Sequence, residues 1–428
     1  MGKQLKKMIA FIRGFINAKL GSKLSREKIE KIQQTRFNKL QREALSTSEF
    51  YSCYVNKPLD EYPVIRKAIH VENFNIINTA GLDKDTAFEI AIASEKSRDF
   101  TPDYKGFSVG LSSGTSGNRG LFVTSVEERA QWAGYIIGKL LPFRCGKHRV
   151  AFFLRANNNL YESSNGILLI FKFFDLIDGL NKNIKKLVKF NPTILIAPAS
   201  VLLKIIEKKP KINPVKVIAI AEVLEASDKR LLESYFQQKI HQIYQCTEGF
   251  VAATCSEGNL HLNEDVLIIE KKWINQESGR FSPILTDLKR VTQPVIRYYL
   301  DDILIEDKAP CACGSNFTRL KAIEGRKDDI FYLRNNRNEL IDVFPDFIRN
   351  SLIIVSAELI EYQVIQSEKN KLVIYILPFN EVIRKNISSA LDELFNRLDV
   401  LIPQYEFDEF KVIDNGKKRR RVMRQIDG

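Results

Sequence analysis

Leu111-Ser-Ser-Gly-Thr-Ser-Gly-Asn-Arg-Gly120 stands directly after a short apolar approach at Phe107, Val109 and Leu111. Three glycines and four hydroxyls share its ten residues. Gly114, Gly117 and Gly120 allow tight turns and close backbone approach, so that successive N–H groups can converge on an anion. Ser112, Ser113, Thr115 and Ser116 add hydroxyl donors, and Arg119 adds a positive charge. No Gly-Lys-Ser/Thr follows, so this is not a Walker loop, and the glycine spacing is not the dinucleotide fingerprint. Taken alone, the loop reads equally as a phosphate cradle or as a polar surface loop.

Outward from the loop, strands alternate with helices. Arg149–Leu154, Thr193–Ala197 and Val215–Ala221 read as buried strands, and helices are expected over Val126–Leu140, Leu169–Leu180, Val201–Lys208 and Ser227–Phe236. That alternation predicts an α/β body with a mostly parallel sheet. Leu260–Ile269 and Val291–Leu304 look like antiparallel strands. After Gly325 come strands at Glu361–Gln366 and Leu372–Leu377 and a helix at Val382–Leu398, about 100 residues of α+β character and large enough for a separate small lobe. The predicted division is 1–45 for basic N-terminal helices, 46–325 for a large α/β domain and 326–428 for the small lobe.

At the N-terminus, Leu5, Met8, Ile9, Ile12, Phe15, Ile16 and Leu20 recur at helical spacing, with lysines opposite. Such a helix over residues 1–20 can lie on an anionic membrane or pack on the body with its lysines in water. Ser25 is placed to cap a second helix running to Leu45. Residues 1–44 hold 12 basic and 3 acidic side chains, so they supply +9 of the chain's net +13. The excess is therefore local, which argues against a nucleic-acid partner. A chain of 428 residues that is 44% hydrophobic and 27% charged is neither disordered nor fibrous, and six cysteines are too few for a disulfide scaffold. No secretory signal and no span of about 20 apolar residues stand out, so a cytoplasmic protein is expected, peripheral to a membrane if the first helix binds one.

Further motifs follow the loop in order. Ser112–Gly120 resembles the phosphate-binding loop of the adenylate-forming superfamily, the acyl- and aryl-CoA ligases. Tyr244-Gln-Cys-Thr-Glu248 resembles the superfamily's aromatic–Thr/Ser–Glu motif. Leu285-Thr-Asp-Leu288 with Pro294-Val-Ile-Arg-Tyr-Tyr-Leu-Asp-Asp302 is similar to the stretch whose Asp grips the ribose, and Asp302 matches better than Asp301. Gly325-Arg-Lys-Asp-Asp329 resembles the hinge between lobes, and Gly416-Lys-Lys-Arg-Arg-Arg-Val422 resembles the terminal glycine–lysine motif. The resemblance spans about residues 25–425 and is strongest to the phenylacetate–CoA ligase subgroup, with the capsule-locus ligase-like proteins and the deazaflavin-coenzyme adenylating enzymes.

The resemblance implies a large multi-sheet domain with a small mobile C-terminal domain turning about Lys327–Asp328. It implies ATP held by the loop, Tyr244 and Asp302, with Arg326 at the ribose and hinge. Glu248, beside Thr247, serves Mg²⁺, and Lys417 or Lys418 faces the α-phosphate. Glu222 matches a pocket carboxylate, though a surface-loop glutamate reads the same way, and Ala197–Ser200, Ala221–Leu224 and Tyr244–Phe250 would frame the substrate. The implied reaction is adenylation of an aryl or acyl acid with pyrophosphate release, then transfer to coenzyme A or to carrier-protein phosphopantetheine. An acyl carrier protein and a second copy of the chain are the implied partners. In Leu333-Arg-Asn-Asn-Arg-Asn-Glu-Leu-Ile-Asp-Val-Phe-Pro345 the ligases' glycine is missing, which leaves open a hydroxyl or amine acceptor in surface-polysaccharide or cofactor metabolism.

Cys255, His261, Cys311 and Cys313 offer three thiolates and an imidazole, the ligand set of a closed tetrahedral zinc site. Some members of the subgroup carry a similar Cys, His and Cys-x-Cys-Gly pattern. The set reads as structural Zn²⁺, with reduced buried thiols as the alternative.

Overall fold

The computed structural model describes residues 3–97, 99, 103–112, 119–141, 147–154, 169–176, 180–326, 329–353, 355, 359–411 and 420–426. Two compact units emerge, Met1–Leu300 with Glu306–Ala322, and Asp301–Ile305 with Ile323–Gly428.

In the first unit, β1 (Ser108–Leu111) and β2 (Leu121–Thr124) form an antiparallel hairpin, paired from Ser108↔Thr124 to Leu111↔Leu121. The main sheet is built from β3 (His148–Leu154), β4 (Leu169–Asp175), β5 (Ile194–Pro198), β6 (Lys216–Ile220) and β7 (Ile240–Cys246), all parallel, in the spatial order β7-β6-β5-β3-β4. It continues antiparallel through β8 (Gly249–Thr254) and β9 (Leu260–Leu262). β10 (Leu267–Asn275) and β11 (Arg280–Asp287) pair antiparallel, and β12 (Tyr298–Tyr299) lies beside β11. β13 (Asp302–Asp307) and β14 (Arg319–Arg326) each straddle the division between the units.

Three expectations need correction. Leu169–Leu180 was expected as a helix, but Leu169–Asp175 is a parallel strand beside β3. Its run Leu-Ile-Phe-Lys-Phe-Phe-Asp is rich in aromatics, which favour the pleated surface. Phe174 stacks on Phe153 with centroids 4.7 Å apart, both rings buried in one cluster with Leu187, Leu195, Val217 and Leu232. Leu260–Ile269 is not one strand: a turn of buried polar residues, Asn263, Glu264 and Asp265, separates β9 from β10. Strand structure within Val291–Leu304 is confined to Tyr298–Tyr299 and the start of β13.

The Val126–Leu140 helix ends where its sequence says it should. Ser125 caps it, accepting from the Glu128 N–H at 3.2 Å while the Glu128 carboxylate accepts from the Ser125 N–H at 2.7 Å. Ser25 likewise caps Arg26–Glu43, accepting from the Lys28 N–H at 3.4 Å. The Lys3–Gly21 helix packs directly on Val126–Leu140 through small residues. A Cβ on Gly14 would overlap the Gln131 carbonyl, one on Gly134 the Phe11 carbonyl, and one on Gly138 would come within 2.7 Å of the Ala18 Cβ. Among the described residues, no helix is long and apolar enough to cross a membrane.

The second unit contains a hairpin of β15 (Phe331–Arg334) and β16 (Leu340–Val343). Its four-stranded sheet consists of β17 (Glu361–Glu368), β18 (Lys371–Leu377), β19 (Gln404–Glu409) and β20 (Val422–Arg424), in the order β19-β18-β17-β20. Alternate residues of β18 are buried, and Leu372, Ile374 and Ile376 share a core with Ile383, Leu391 and Phe395 of the Glu381–Arg397 helix.

Candidate active site and metal cluster

The glycine-rich segment links β1 to β2 in the chain, and the structure describes its two ends, Ser112 and Arg119–Gly120. Ser112 and Gly120 close its base reciprocally: the Ser112 N–H donates to the Gly120 carbonyl and the Gly120 N–H to the Ser112 hydroxyl, each at 2.7 Å. Arg119 clamps the same base. Its Nε donates to the Ser112 carbonyl at 3.1 Å, and its two terminal nitrogens grip both carboxylate oxygens of Glu95 at 2.8 and 2.5 Å. Arg119 is thus ion-paired to Glu95 at the base of the loop. Lys67, which the motif reading passed over, brings its Cε within 3.2 Å of where a Gly120 Cβ would stand. Ser113, Gly114, Thr115, Ser116 and Gly117 lie outside the described residues.

Three neighbouring parallel strands deliver polar groups from their carboxyl ends, where open α/β sheets present ligand-binding loops. After β5, Ser200 lies in the first turn of the Ala199–Glu207 helix, and its N–H and hydroxyl donate to the two oxygens of Glu222 at 2.9 and 3.1 Å. Glu222 follows β6 through Ala221, which takes a φ of 63°. At the end of β7, Thr247 and Glu248 make the two-residue turn into β8, enclosed by the pair Cys246↔Gly249. Tyr244 is buried within β7, opposite Ala252.

The surroundings of Glu248 decide its charge. Burial alone would raise its carboxyl, but the Thr247 hydroxyl at 2.8 Å, the Tyr298 hydroxyl, its own backbone N–H and the Cys246 thiol all bond to it. These bonds prevail and hold it below the usual carboxylate value, so it is an anion at neutral pH. Arg290 donates to the Thr247 carbonyl at 2.6 Å and fixes the turn from below. His70 stands edge-on to Tyr298, with centroids 5.4 Å apart, and its Nε2 lies 3.3 Å from the Pro294 carbonyl. Burial pushes the imidazole down to about 4, so it is neutral there. Tyr298, Arg290 and His70 were not among the expected site residues. Tyr298 does lie inside the Pro294–Asp302 motif, but motif matching singles out the aspartate and passes over the phenol.

Asp302 opens β13 and Arg326 closes β14, both within the second unit. Lys417 and Lys418 lie outside the described residues. The neighbouring basic residues are structural. Arg420 is ion-paired to Asp329, and the Arg421 Nε donates to Glu361 at 3.1 Å while its guanidinium stacks over Tyr362.

Cys255, His261, Cys311 and Cys313 converge, their ligand atoms all within 4.8 Å of one another. Cys255 Sγ lies 3.8 Å from Cys311 Sγ, and Cys313 Sγ lies 3.6 Å from His261 Nε2. Tetrahedral coordination with Zn–S of about 2.3 Å and Zn–N of about 2.0–2.1 Å demands separations of about 3.8 and 3.6 Å for such pairs. The outer groups suit the same ion. The His261 Nδ1–H donates to the Phe317 carbonyl at 3.0 Å, which turns Nε2 toward the sulfurs, and Asn259 donates to Cys311 Sγ at 3.2 Å. Tight turns hold the thiols, with the Gly258 N–H on the Cys255 carbonyl and the Gly314 N–H on the Cys311 carbonyl. The donor set and its spacing fit a tetrahedral metal ion.

No family model matches the sequence. The structure of 2-hydroxyisobutyryl-CoA ligase in its postadenylation state, in complex with 2-HIB-AMP, superimposes over 95% of this chain and 91% of that one, with a TM-score of 0.67 at 15% identity. This is the fold of the adenylate-forming ligases. The same fold is shared with an acyl acid amido synthetase, at a TM-score of 0.56 and 12% identity over 89% of this chain and 86% of that one. In sequence, Protein CapK of Staphylococcus aureus is 24% identical over 261 residues, 59% of this chain. The chain spans about half, 55%, of the length of that relative.

Proposed function

We propose that this chain is an AMP-forming ligase: it adenylates a carboxylic acid with ATP, releasing pyrophosphate, and then transfers the acyl group to a thiol. The observation that carries the reading is the Glu248 carboxylate bonded by Thr247 at the end of β7, with the Ser200–Glu222 pair at the ends of the two neighbouring strands. Adenylation needs a carboxylate for the metal, donors for the polyphosphate and a cation where charge builds on the α-phosphate. Glu248 would hold Mg²⁺, which neutralises phosphate charge when bound. Thr247 and Tyr298 keep that carboxylate aimed and ionised. Ser112 and Gly120 hold shut the base of the loop that would cradle the β- and γ-phosphates. Asp302 is the candidate for the ribose hydroxyls, Arg326 for the hinge, and Lys417 or Lys418 for the late cation.

ATP–pyrophosphate exchange against a library of aryl, fatty, amino and sugar acids tests the proposal, with Glu248→Gln, Lys417→Ala and Lys418→Ala alongside. Acid-dependent exchange that falls at least about 100-fold in Glu248→Gln and in one lysine variant is expected. A folded protein that neither exchanges nor binds Mg·ATP would refute the reading.

Coenzyme A or carrier-protein phosphopantetheine is the first candidate acceptor, in keeping with the CoA ligase that shares the fold. A hydroxyl or amine acceptor is the second reading, and the β15–β16 turn favours it. In the stretch from Leu333 to Pro345, buried Asn335 holds the N–H groups of Arg337 and Glu339, and Asn338 adopts a φ of 65° with its side chain on Arg334. The glycine missing from this stretch is what supports the second reading. The cluster of Cys255, His261, Cys311 and Cys313 is proposed as structural zinc, since four protein ligands leave no open position for water.

A further inference from the structure

The Lys3–Gly21 helix presents two apolar faces, and only one of them is used. Gly14, Ala18, Phe11 and Phe15 turn toward Val126–Leu140, where Gly134 and Gly138 let the two backbones meet. On the other side Leu5, Met8, Ile9, Ile12, Ile16 and Leu20 are 37–60% exposed. They lie at helical spacing along a line of about 22 Å, at 1.5 Å per residue. Single exposed apolar residues are ordinary, but a contiguous stripe rimmed by charge marks a surface that meets something. The close crossing at the glycines fixes the helix's rotation, so the stripe cannot turn inward.

The charge around the stripe points to its partner. Residues 1–21 contain five basic and no acidic side chains. Lys6 and Arg13 are exposed and follow the stripe by one helical position, the arrangement of helices that lie in the headgroup plane of anionic bilayers. Exposed Lys23 follows this helix, and exposed Lys28 and Lys31 lie on the next one beside Glu27 and Glu30, while Arg26 is ion-paired to Glu30 and Glu264. No described helix crosses a membrane, so contact would be lateral.

We propose that the Lys3–Gly21 helix docks this protein on an anionic membrane surface, Ile12 and Ile16 entering the acyl boundary and Lys6 and Arg13 meeting lipid headgroups. The proposal is independent of the catalytic reading.

Co-sedimentation of the full chain with phosphatidylcholine vesicles, with and without roughly a third phosphatidylglycerol, tests it. Expected is binding about tenfold or more tighter to the anionic vesicles, weakening as salt rises. Ile12→Asp/Ile16→Asp and Lys6→Glu/Arg13→Glu should each lower that binding about tenfold, with thermal stability unchanged because these side chains are exposed. Equal affinity for both vesicle types, no binding to either, or undiminished binding by the aspartate variant overturns the proposal. So does a dimer in lipid-free solution that the aspartate variant dissolves, since a second copy would then cover the stripe.

Discussion

Gly138 sits in the last turn of the Val126–Leu140 helix, where replacing glycine by alanine ordinarily stabilises by up to about 1 kcal/mol. The helix crossing reverses that sign. A Cβ at this position would stand 2.7 Å from the Ala18 Cβ and 2.8 Å from the Phe15 carbonyl oxygen, against about 3.5–4.0 Å for carbon atoms in contact. The Lys3–Gly21 helix would have to move away by about 1 Å at Phe15–Ala18, toward its C-terminal end, and the obstacle there is partly backbone, which cannot change rotamer. Overpacking of this kind costs about 1–3 kcal/mol, so Gly138→Ala should destabilise by up to about 2 kcal/mol after the propensity gain. For a cooperative unit of roughly 300 residues that is up to about 3 °C in Tm. Gly134→Ala, whose Cβ would overlap the Phe11 carbonyl, should cost more and loosen the first helix from the body. Differential scanning calorimetry gives the first quantity, and limited proteolysis after Lys19 or Lys23 gives the second. A Gly138→Ala protein more stable than wild type, with the N-terminal helix equally protected, would refute the argument that these glycines exist for close approach.

Other outcomes follow from single sites. His70 is held down at about 4 from an ordinary 6.5, so below pH 6.5 the unfolded chain binds a proton that the folded chain refuses. Its contribution is complete above pH 6.5 and falls by about 3 kcal/mol as pH drops to 4, and in His70→Gln this component of the pH–stability curve should vanish in denaturant titrations. Phe153→Ala removes a fully buried ring stacked on Phe174 and should cost about 3–5 kcal/mol in urea unfolding. Cys311→Ser and Cys313→Ser should each reduce bound zinc, read by elemental analysis, and lower Tm, and a strong chelator should do the same to wild type while leaving Cys311→Ser unmoved. Zinc content equal in wild type and both variants would remove the metal reading.

What the residues made legible was local. Val126–Leu140 was found end to end because its capping box and its periodicity are both encoded within the segment. The β17–β18 hairpin was found because alternation along a half-buried strand is a two-residue signal. Leu169–Asp175 was misread for the same reason in reverse: a short apolar run buried in a parallel sheet has no alternation to show, and only its pairing with β3 makes it a strand. Asn263–Asp265 broke an expected strand because three buried polar residues find their partners in distant segments. Arg26 reaches Glu264 at 2.8 Å and Tyr135 reaches Asp265 at 2.5 Å.

The site divides along the same line. The sequence by itself determined the residue types and their order: a hydroxyl-and-glycine loop, a Thr-Glu pair, and a set of three cysteines and one histidine. What each is bonded to depended on the folded backbone. It turned Arg119 onto Glu95, joined Ser200 to Glu222, set Tyr298 against Glu248, and brought Cys255 to 3.8 Å from a cysteine 56 residues away. The physical reason is that a side chain's charge and hydrogen-bonding capacity are written in its own chemistry, whereas its partner is chosen by the path of the backbone. In a sheet whose neighbouring strands are distant in sequence, that path is set by packing that no single segment contains.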